Sequence, residues 1–408
     1  MTTAISKPKG ERIEGGVTSP TGFRAAGVHC GIKATRSDLA LVTSERLASA
    51  AAMFTTNVVK AAPVLVSEEK IQSGVAQAIV VNSGNANACT GAQGLRDARE
   101  MAALTAQQLG LAEEFVLVAS TGLIGVPLPM ASIRRGIPLA VRALGPDGGA
   151  EAAEAIVTTD AFPKTAAAQV EIGGARVTIG GMAKGAGMIH PNMATTLCVL
   201  TTDAVIPPHQ LRGALRRAIN QSFNCISVDG DTSTNDTVFC LANGLAGNPP
   251  LVDDDEAFTR FSRALAEVAT TLARMVVRDG EGASKVGTLI VRGARSAEDA
   301  KRAATAVMTS PLVKTALYGA EPNWGRILAA VGRSGAGVNP DVIEIWIGGV
   351  QVVDSGIAAS SDLSVAAAAM RGPDVEILVD LHLGDGTFTG WFSDLNEAYV
   401  KVNAGYMT

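Results

Sequence analysis

The alternation of apolar and polar positions predicts a chain built from short strands and amphipathic helices. In the first part of the sequence, apolar runs predict strands over 39–44, 51–56, 62–67, 76–84 and 114–120. Helical spacing of alanine and leucine predicts helices over 93–109 and 130–143, and Gly110 follows the first of them as a C-terminal signal. Because strands and helices are interleaved, the pattern indicates layers of helix packed on sheet.

The rest of the chain adds hairpins to this alternation. Segments 168–173 and 175–181 predict one hairpin, and 342–356 and 374–393 are also hairpin-like. Further helices are predicted over 208–222, from 256 onward and over 297–319. Since a hairpin joins antiparallel strands, the sheets are not purely parallel. The predicted fold class is α/β, a layered α+β arrangement with mixed or antiparallel sheets sandwiched by helices.

One predicted strand begins abruptly near the middle of the chain. The run "TTLCVLTTDA" (195–204) is typical of a buried strand, with apolar residues among β-branched threonines. It follows "GGMAKGAGMIHPNM" (180–193), whose glycines and proline favour a loop. The loop before Thr195 is the one organisational break that the sequence predicts, and it divides the chain into 1–194 and 195–408.

Composition and charge exclude several classes of protein. Apolar residues make up 47% of the 408 residues and charged residues 18%, which suits a large core. The net charge of -5 argues against binding to nucleic acid or an anionic membrane. No segment has the roughly 20 apolar residues of a membrane span, and the N-terminus has no signal-peptide core, so a cytoplasmic location is expected. The five cysteines form no CxxC pair and are expected to be free thiols.

Familiar catalytic motifs are missing from the sequence. There is no GxxxxGK[ST], GxSxG or HExxH pattern, and the four histidines lie far apart. The run "DGDTSTND" (229–236) is similar to a calcium loop, but Thr234 stands where that loop needs glycine and Cys240 where it needs glutamate. We therefore expect neither a metal site nor a serine–histidine triad.

Thr195 is a candidate nucleophile that needs no histidine. A threonine hydroxyl is activated by a neighbouring base, and a terminal α-amino group, with a pKa of about 7.7–8.0, is such a base. Cleavage between Ala194 and Thr195 would place that amine beside the hydroxyl. The small residue before the bond and the strained approach suit an N-to-O acyl shift. A Thr-Thr pair also opens many ordinary strands, so the residues alone leave both interpretations open.

The segment around this bond resembles the ornithine acetyltransferases of arginine biosynthesis, the ArgJ family. Further motifs match that family in order along nearly the whole chain: "FTTNVVKAAPV" (54–64), "VNSGNANACTG" (81–91), "STGLIGVPLP" (120–129), "TTDAFPK" (158–164), "SVDGDTSTNDT" (227–237), "VRDGEGASK" (277–285), "EPNWGRI" (321–327) and "YVKVNAGYMT" (399–408). The resemblance implies an N-terminal-nucleophile-like enzyme that cuts itself at Ala194–Thr195 into an α chain, 1–194, and a β chain, 195–408.

The resemblance also implies roles for individual residues. Thr195 matches the nucleophile that takes the acetyl group from N-acetylornithine, and Thr121 and Gly122 match the pair that forms the oxyanion hole. A hydroxyl and a main-chain N–H aimed at the developing oxyanion lower the barrier to the tetrahedral intermediate. The substrate-binding positions that match are Thr158, Lys184, Thr195, Glu281, Asn403 and Thr408. A lysine suits the α-carboxylate that ornithine and glutamate share.

The implied reaction passes the acetyl group from acetylated Thr195 to glutamate, without a metal or organic cofactor. Acetyl-CoA is a further acetyl donor for some family members, and the sequence leaves open whether this chain accepts it. The resemblance also implies a heterotetramer of two α and two β chains. Two departures are visible: Thr196 stands where methionine is expected, and Ala161 where threonine is common.

Two other functions remain as alternatives to acetyl transfer. A self-processing N-terminal-nucleophile aminopeptidase or amidase would use the same Thr195, with water instead of glutamate as acceptor. An uncleaved binding protein would lack the catalytic amine altogether.

Overall fold

The computed structural model describes residues 10–190, 196–252 and 255–405. The strands, in chain order, are β1 (Glu11–Ile13), β2 (Phe23–Val28), β3 (Leu39–Phe54), β4 (Val75–Asn85), β5 (Val116–Leu123), β6 (Lys164–Ile172), β7 (Ala175–Lys184), β8 (Leu197–Thr202), β9 (Ile226–Ser227), β10 (Thr237–Ala242), β11 (Val286–Ala294), β12 (Glu344–Ile347), β13 (Val350–Asp354), β14 (Ile357–Ala358), β15 (Asp374–Asp380) and β16 (Gly386–Ser393). The helices are α1 (Ala62–Lys70), α2 (Gly91–Leu109), α3 (Met130–Ala143), α4 (Gly149–Ile156), α5 (Pro208–Asn220), α6 (Glu256–Arg278), α7 (Ala297–Met308), α8 (Pro311–Tyr318), α9 (Trp324–Gly332), α10 (Leu363–Ala369) and α11 (Glu397–Gly405).

The strands of the described ranges form two sheets. The first runs in the order β1-β6-β7-β8-β10-β3-β4-β5, with β2 paired to β3, and the second in the order β14-β13-β12-β15-β11-β16-β9. Both sheets mix parallel and antiparallel pairs, which confirms the predicted α/β class with mixed sheets. None of the helices that the structure describes is long and apolar enough to cross a membrane.

Strand β8, which follows the predicted break, is central to the first sheet. It pairs antiparallel with β7, where Leu197 faces Lys184, and parallel with β10, where Leu197 faces Thr237. All six residues of β8 are buried, as the apolar run predicted. Residues from both sides of the predicted cleavage bond therefore share one sheet and one core.

One predicted strand is wrong, and two others belong to a single strand. Segment 62–67 belongs to helix α1, because Pro63 in the first turn has a backbone torsion suited to a helix and a short apolar run carries no decisive period. Segments 39–44 and 51–56 are not separate strands, since β3 runs through both with a register irregularity between Thr43 and Ala48. The polar residues between them lie at this irregularity.

The hairpin predictions have mixed outcomes. Strands β6 and β7 form the predicted hairpin over 168–181, and β12 and β13 form the one within 342–356. The hairpin-like interpretation of 374–393 is wrong, because β11 lies between β15 and β16. The connection between these two strands bonds to β11 instead, through Leu381 N–H to the Arg292 carbonyl and Leu383 N–H to the Gly293 carbonyl.

Helix α6 packs against the hairpin of β6 and β7 and thereby supports the strand that ends at Lys184. Its buried face repeats at helical spacing, with Phe258, Phe261, Leu265, Val268, Leu272 and Val276. Helix α5 packs beside it, and the two helices share one hydrophobic cluster with the sheet. This layer fixes the position of β7 relative to the segment that follows α6.

Replacing Phe261 with alanine is expected to lower the free energy of unfolding by about 3–5 kcal/mol, because its fully buried ring would leave a cavity beneath the sheet. Denaturant titration at constant m-value measures this change. Arg260→Ala, an exposed neighbour on the same helix, is the control and is expected to stay within about 1 kcal/mol. Equal effects of the two variants would contradict this packing.

Candidate active site

The structure gathers distant residues around one cavity of about 220 Å³. The predicted site residues that line it are Thr121, Gly122, Thr158, Lys184, Glu281 and Asn403. Ala194, Thr195 and Thr408, the other predicted members, lie outside the described residues. Strand β5, the end of β7, the segment after α6 and helix α11 each contribute one side of the cavity.

Lys184 supplies a buried positive charge to this cavity. It is the last residue of β7 and only 4% exposed, and its Nζ lies 3.4 Å from Thr121 Oγ1 and 3.9 Å from Asp160 Oδ2. Burial lowers the pKa of Lys184, while Asp160 acts in the opposite direction. An ammonium group in this position offers hydrogen-bond donors and charge to a carboxylate in the cavity.

Thr121 and Gly122 lie at an irregular end of the pairing between β4 and β5. The strand predicted over 114–120 is longer than expected, because β5 continues to Leu123. The register is disrupted at Gly84 and Asn85, opposite Gly122. Gly122 has φ +134°, and an added Cβ would lie 2.3 Å from the Gly84 carbonyl carbon, so only glycine fits. This close approach places a hydroxyl and a main-chain N–H of consecutive residues at the cavity wall.

One carboxylate fixes both Thr158 and the end of β7. Asp160 accepts hydrogen bonds from Thr158 N–H at 2.9 Å and from Gly185 N–H at 2.7 Å. The neighbouring departure from the family pattern, Ala161, donates its main-chain N–H to Asp279 Oδ1 and Oδ2 at 3.1 and 3.0 Å. This contact needs no side chain, so the loop is anchored without the usual threonine.

Glu281 and Asn403 meet on the opposite side of the cavity. Asn403 Nδ2 donates to Glu281 Oε2 at 2.9 Å. Gly187 leaves room for the carboxylate, since a Cβ there would lie 2.6 Å from it. Helix α11 is anchored to the same segment, because Asn396 Nδ2 donates to the Gly282 carbonyl at 2.7 Å. Helix α11 therefore belongs to the site.

Residues of the run 229–236 line the cavity as well, which the sequence analysis missed. Asp229 accepts hydrogen bonds from Met188 N–H at 2.5 Å and Ile189 N–H at 2.8 Å, and it holds the loop that leads to the predicted cleavage bond. Asp231 and Asn235 also border the cavity. The available signals were the oxygen-rich composition of the run and its place among the family motifs, neither of which assigns a role to these individual residues. Among the described residues, no group of three or more His, Cys, Asp or Glu side chains is arranged to hold a metal ion.

A buried carboxyl lies beside the first described residue after the predicted cleavage bond. Thr196 N–H donates to Asp236 Oδ1 at 3.1 Å, and both side chains are almost fully buried. Within the described ranges, Thr196 Oγ1 and Asp236 Oδ2 have no hydrogen-bond partner. Burial raises the pKa of Asp236 well above its usual value, although the hydrogen bond from Thr196 N–H and the charge of Lys184 act in the opposite direction.

Comparison with known proteins shows which family this chain is similar to. A model of the ArgJ family matches residues 24–408. The arginine biosynthesis bifunctional protein ArgJ of Symbiobacterium thermophilum is 53% identical over 98% of this chain and 100% of its own length. The protein of the same name from Geobacter sulfurreducens is 52% identical over 95% of this chain and 99% of its own.

A solved structure is also similar. The crystal structure of arginine biosynthesis bifunctional protein ArgJ from Bacillus halodurans is 42% identical, with a TM-score of 0.49, and covers 50% of this chain and 97% of that one. The family match over nearly the whole sequence and the two relatives at about half identity confirm the resemblance of the motifs: the chain belongs to the ArgJ family.

Proposed function

We propose that this protein transfers the acetyl group of N-acetylornithine to glutamate in arginine biosynthesis, through an acetylated Thr195. The observation that carries the proposal is the meeting of Lys184, Thr121, Gly122 and Glu281 around one cavity. The two relatives named above are called arginine biosynthesis proteins, and this chain matches them over 100% and 99% of their lengths. An acyltransferase uses such a site because it needs a carboxylate anchor, an oxyanion hole and a nucleophile within one enclosed space.

Substrate binding is proposed to depend on opposite charges at two sides of the cavity. The Lys184 ammonium binds the α-carboxylate that N-acetylornithine and glutamate share. Because Lys184 is buried, this attraction is stronger than it would be in water. Glu281 takes an ammonium group of the substrate, while its hydrogen bond from Asn403 fixes the orientation of the carboxylate. Thr158, held by Asp160, contributes a hydroxyl at the cavity wall.

The proposed reaction proceeds in two half-reactions. Thr195 Oγ attacks the acetyl carbonyl, its proton passes to the free α-amine of the same residue, and the oxyanion is held by Thr121 and Gly122. The C–N bond then breaks, the proton moves to the departing nitrogen, and ornithine leaves an acetyl ester on Thr195. The amine of glutamate attacks this ester, so N-acetylglutamate forms and the hydroxyl is regenerated. No cofactor takes part in either step.

The amine that serves as base exists only after self-cleavage. We therefore propose that the chain cuts itself at Ala194–Thr195 and that chains 1–194 and 195–408 stay together in a heterotetramer of two copies of each. The pairing of β7 with β8 supports their association, since the strands on either side of the bond lie in one sheet. The expected compartment is the cytoplasm.

Incubation of purified protein with N-acetylornithine is expected to release ornithine continuously only when glutamate is present, because water is a poor acceptor at a site built for an amine. Without glutamate, release should stop at an amount stoichiometric with the enzyme. Denaturing mass measurement should find fragments 1–194 and 195–408. Continuous deacetylation without glutamate would favour the aminopeptidase or amidase, and a stable intact chain would favour the binding protein.

A parallel incubation with glutamate and acetyl-CoA decides whether the enzyme is bifunctional. Formation of N-acetylglutamate and free thiol would show that acetyl-CoA is also an acetyl donor. If no product forms while transfer from N-acetylornithine proceeds, the enzyme is monofunctional.

A further inference from the structure

Lys164 is a fully buried lysine that none of the proposed steps uses. It is the first residue of β6, and its side chain has no exposed area. Its Nζ lies 2.6 Å from Asp160 Oδ1 and 2.5 Å from Asp279 Oδ2. Burying an ammonium and two carboxylates is unfavourable unless their geometry is well satisfied, so this cluster calls for an explanation beyond stability.

Asp160 and Asp279 connect Lys164 to the chain segments that carry three of the proposed substrate-binding residues. Asp160 accepts N–H groups from Thr158 and Gly185, the residue directly after Lys184. Asp279 lies at the end of α6, two residues before Glu281, and accepts the N–H of Ala161. One ammonium therefore joins three segments that are far apart in sequence and that carry Thr158, Lys184 and Glu281.

The hydrogen bonds of Asp160 leave the Lys184 ammonium available. Oδ1 of Asp160 accepts from both Lys164 and Gly185, while Oδ2 accepts from Thr158 and lies 3.9 Å from Lys184 Nζ. That separation is longer than a hydrogen bond, so Asp160 balances the charge of Lys184 without taking its protons. Because the Lys164 ammonium already donates to Asp160, the Lys184 ammonium can direct its donors to Thr121 and into the cavity.

We propose that Lys164 is a positioning residue for substrate binding, which keeps Asp160 and Asp279 engaged so that Lys184 is free to bind the α-carboxylate. The inference rests on the proposed function, since it assumes that Lys184 is the carboxylate anchor. Without Lys164, Asp160 has Lys184 as its remaining cationic neighbour and draws the ammonium away from the cavity. The substrate would then lose its anchor although Lys184 itself is unchanged.

The charges around Lys184 give this role a signature in pH dependence. The groups that act on Lys184 are Asp160, Lys164, Glu281 and Asp236, and Lys33 is a further cation nearby. Burial and the like charge of Lys164 both lower the pKa of Lys184. For Asp160, burial raises the pKa, but Lys184 and Lys164 outweigh it and hold the pKa below its usual value. Removing the Lys164 charge thus raises the pKa of both groups.

Lys164→Met in the full-length enzyme tests the inference. N-acetylglycine is the binding probe, because it carries the α-carboxylate and the acetamide but no titrating side chain. We expect its affinity, and 1/KM for N-acetylornithine, to fall about tenfold with a smaller change in kcat. The alkaline limb of N-acetylglycine binding, where Lys184 loses its proton, should move to higher pH by about one unit.

Two further variants complete the test. Lys285→Met removes another lysine whose ammonium binds the carbonyls of Leu317, Tyr318 and Met370. It should lower thermal stability while leaving the N-acetylglycine affinity and its alkaline limb in place. If Lys164→Met does not fold, Lys164→Met with Asp279→Asn removes both charges of the pair together. Their effects on the pKa of Lys184 oppose each other, so the tenfold loss of N-acetylglycine affinity is expected there with a smaller movement of the alkaline limb. Unchanged N-acetylglycine affinity in whichever Lys164 variant folds would overturn the inference. Absence of glutamate-dependent transfer in the wild-type enzyme would instead overturn the proposed function.

Discussion

Thr195→Ala is expected to abolish both self-cleavage and acetyl transfer, with a loss of at least about 10⁴-fold in turnover. The hydroxyl is the proposed nucleophile in both reactions, first on the Ala194 carbonyl and then on the acetyl group. Removing it leaves an intact chain in which residue 195 carries no free amine, so the base is lost together with the nucleophile. Denaturing mass measurement and ornithine release in the presence of glutamate check the two consequences separately.

The matched control for this variant is Thr196→Ala. Thr196 provides a second hydroxyl next to the predicted bond, and its Oγ1 is buried without a partner among the described residues. Since its N–H, and not its side chain, contacts Asp236, the variant is expected to cleave before residue 195 and to retain transfer. Cleavage in Thr195→Ala combined with an intact chain in Thr196→Ala would move the reactive bond to Thr195–Thr196.

The helices and strands with strong periodicity were predictable from the sequence. The pairing of strands within each sheet was less so. Helix α3 occupies 130–143 as predicted, and the hairpin of β6 and β7 was found because a short glycine-containing turn separates two alternating runs. The pairing of β15 and β16 with β11 was missed, since alternation reports which face of a strand is buried and not which strand lies beside it. The strand predicted over 62–67 was wrong because a six-residue apolar run fits either a strand or a helical turn.

The site residues were likewise predictable only in part. The motifs identified Thr121, Lys184 and Glu281, and the fold brings all three to one cavity. The residues behind them escaped the sequence analysis, because a buried charge is indistinguishable from a solvated one until its partners are known. Lys164 and Asp279 form an ion pair across 115 positions, and no local pattern relates them. The chemistry at the cavity surface is thus easier to predict than the charges that hold it in place.

Thr121→Val is expected to lower kcat for acetyl transfer by about 10²–10³-fold, the usual loss for one oxyanion donor. The substitution keeps the shape of the side chain and removes only the hydroxyl. Because Lys184 Nζ lies 3.4 Å from Thr121 Oγ1 and donates to it, the hydroxyl proton is free to point to the developing oxyanion. Steady-state kinetics with N-acetylornithine and glutamate measures the effect, and Thr121→Ser, which restores the hydroxyl, should recover most of it.

The contact with Lys184 also provides a rival explanation that the kinetics can separate. If the hydroxyl served only to orient the ammonium, Thr121→Val would raise KM and leave kcat nearly unchanged, because carboxylate binding is the same in ground and transition states. Thr159→Val is the matched control, since Thr159 lines the same cavity and has no proposed part in the reaction, and it should change kcat by less than about tenfold. A loss confined to KM in Thr121→Val would therefore remove Thr121 from the oxyanion hole and leave Gly122 N–H as the proposed donor.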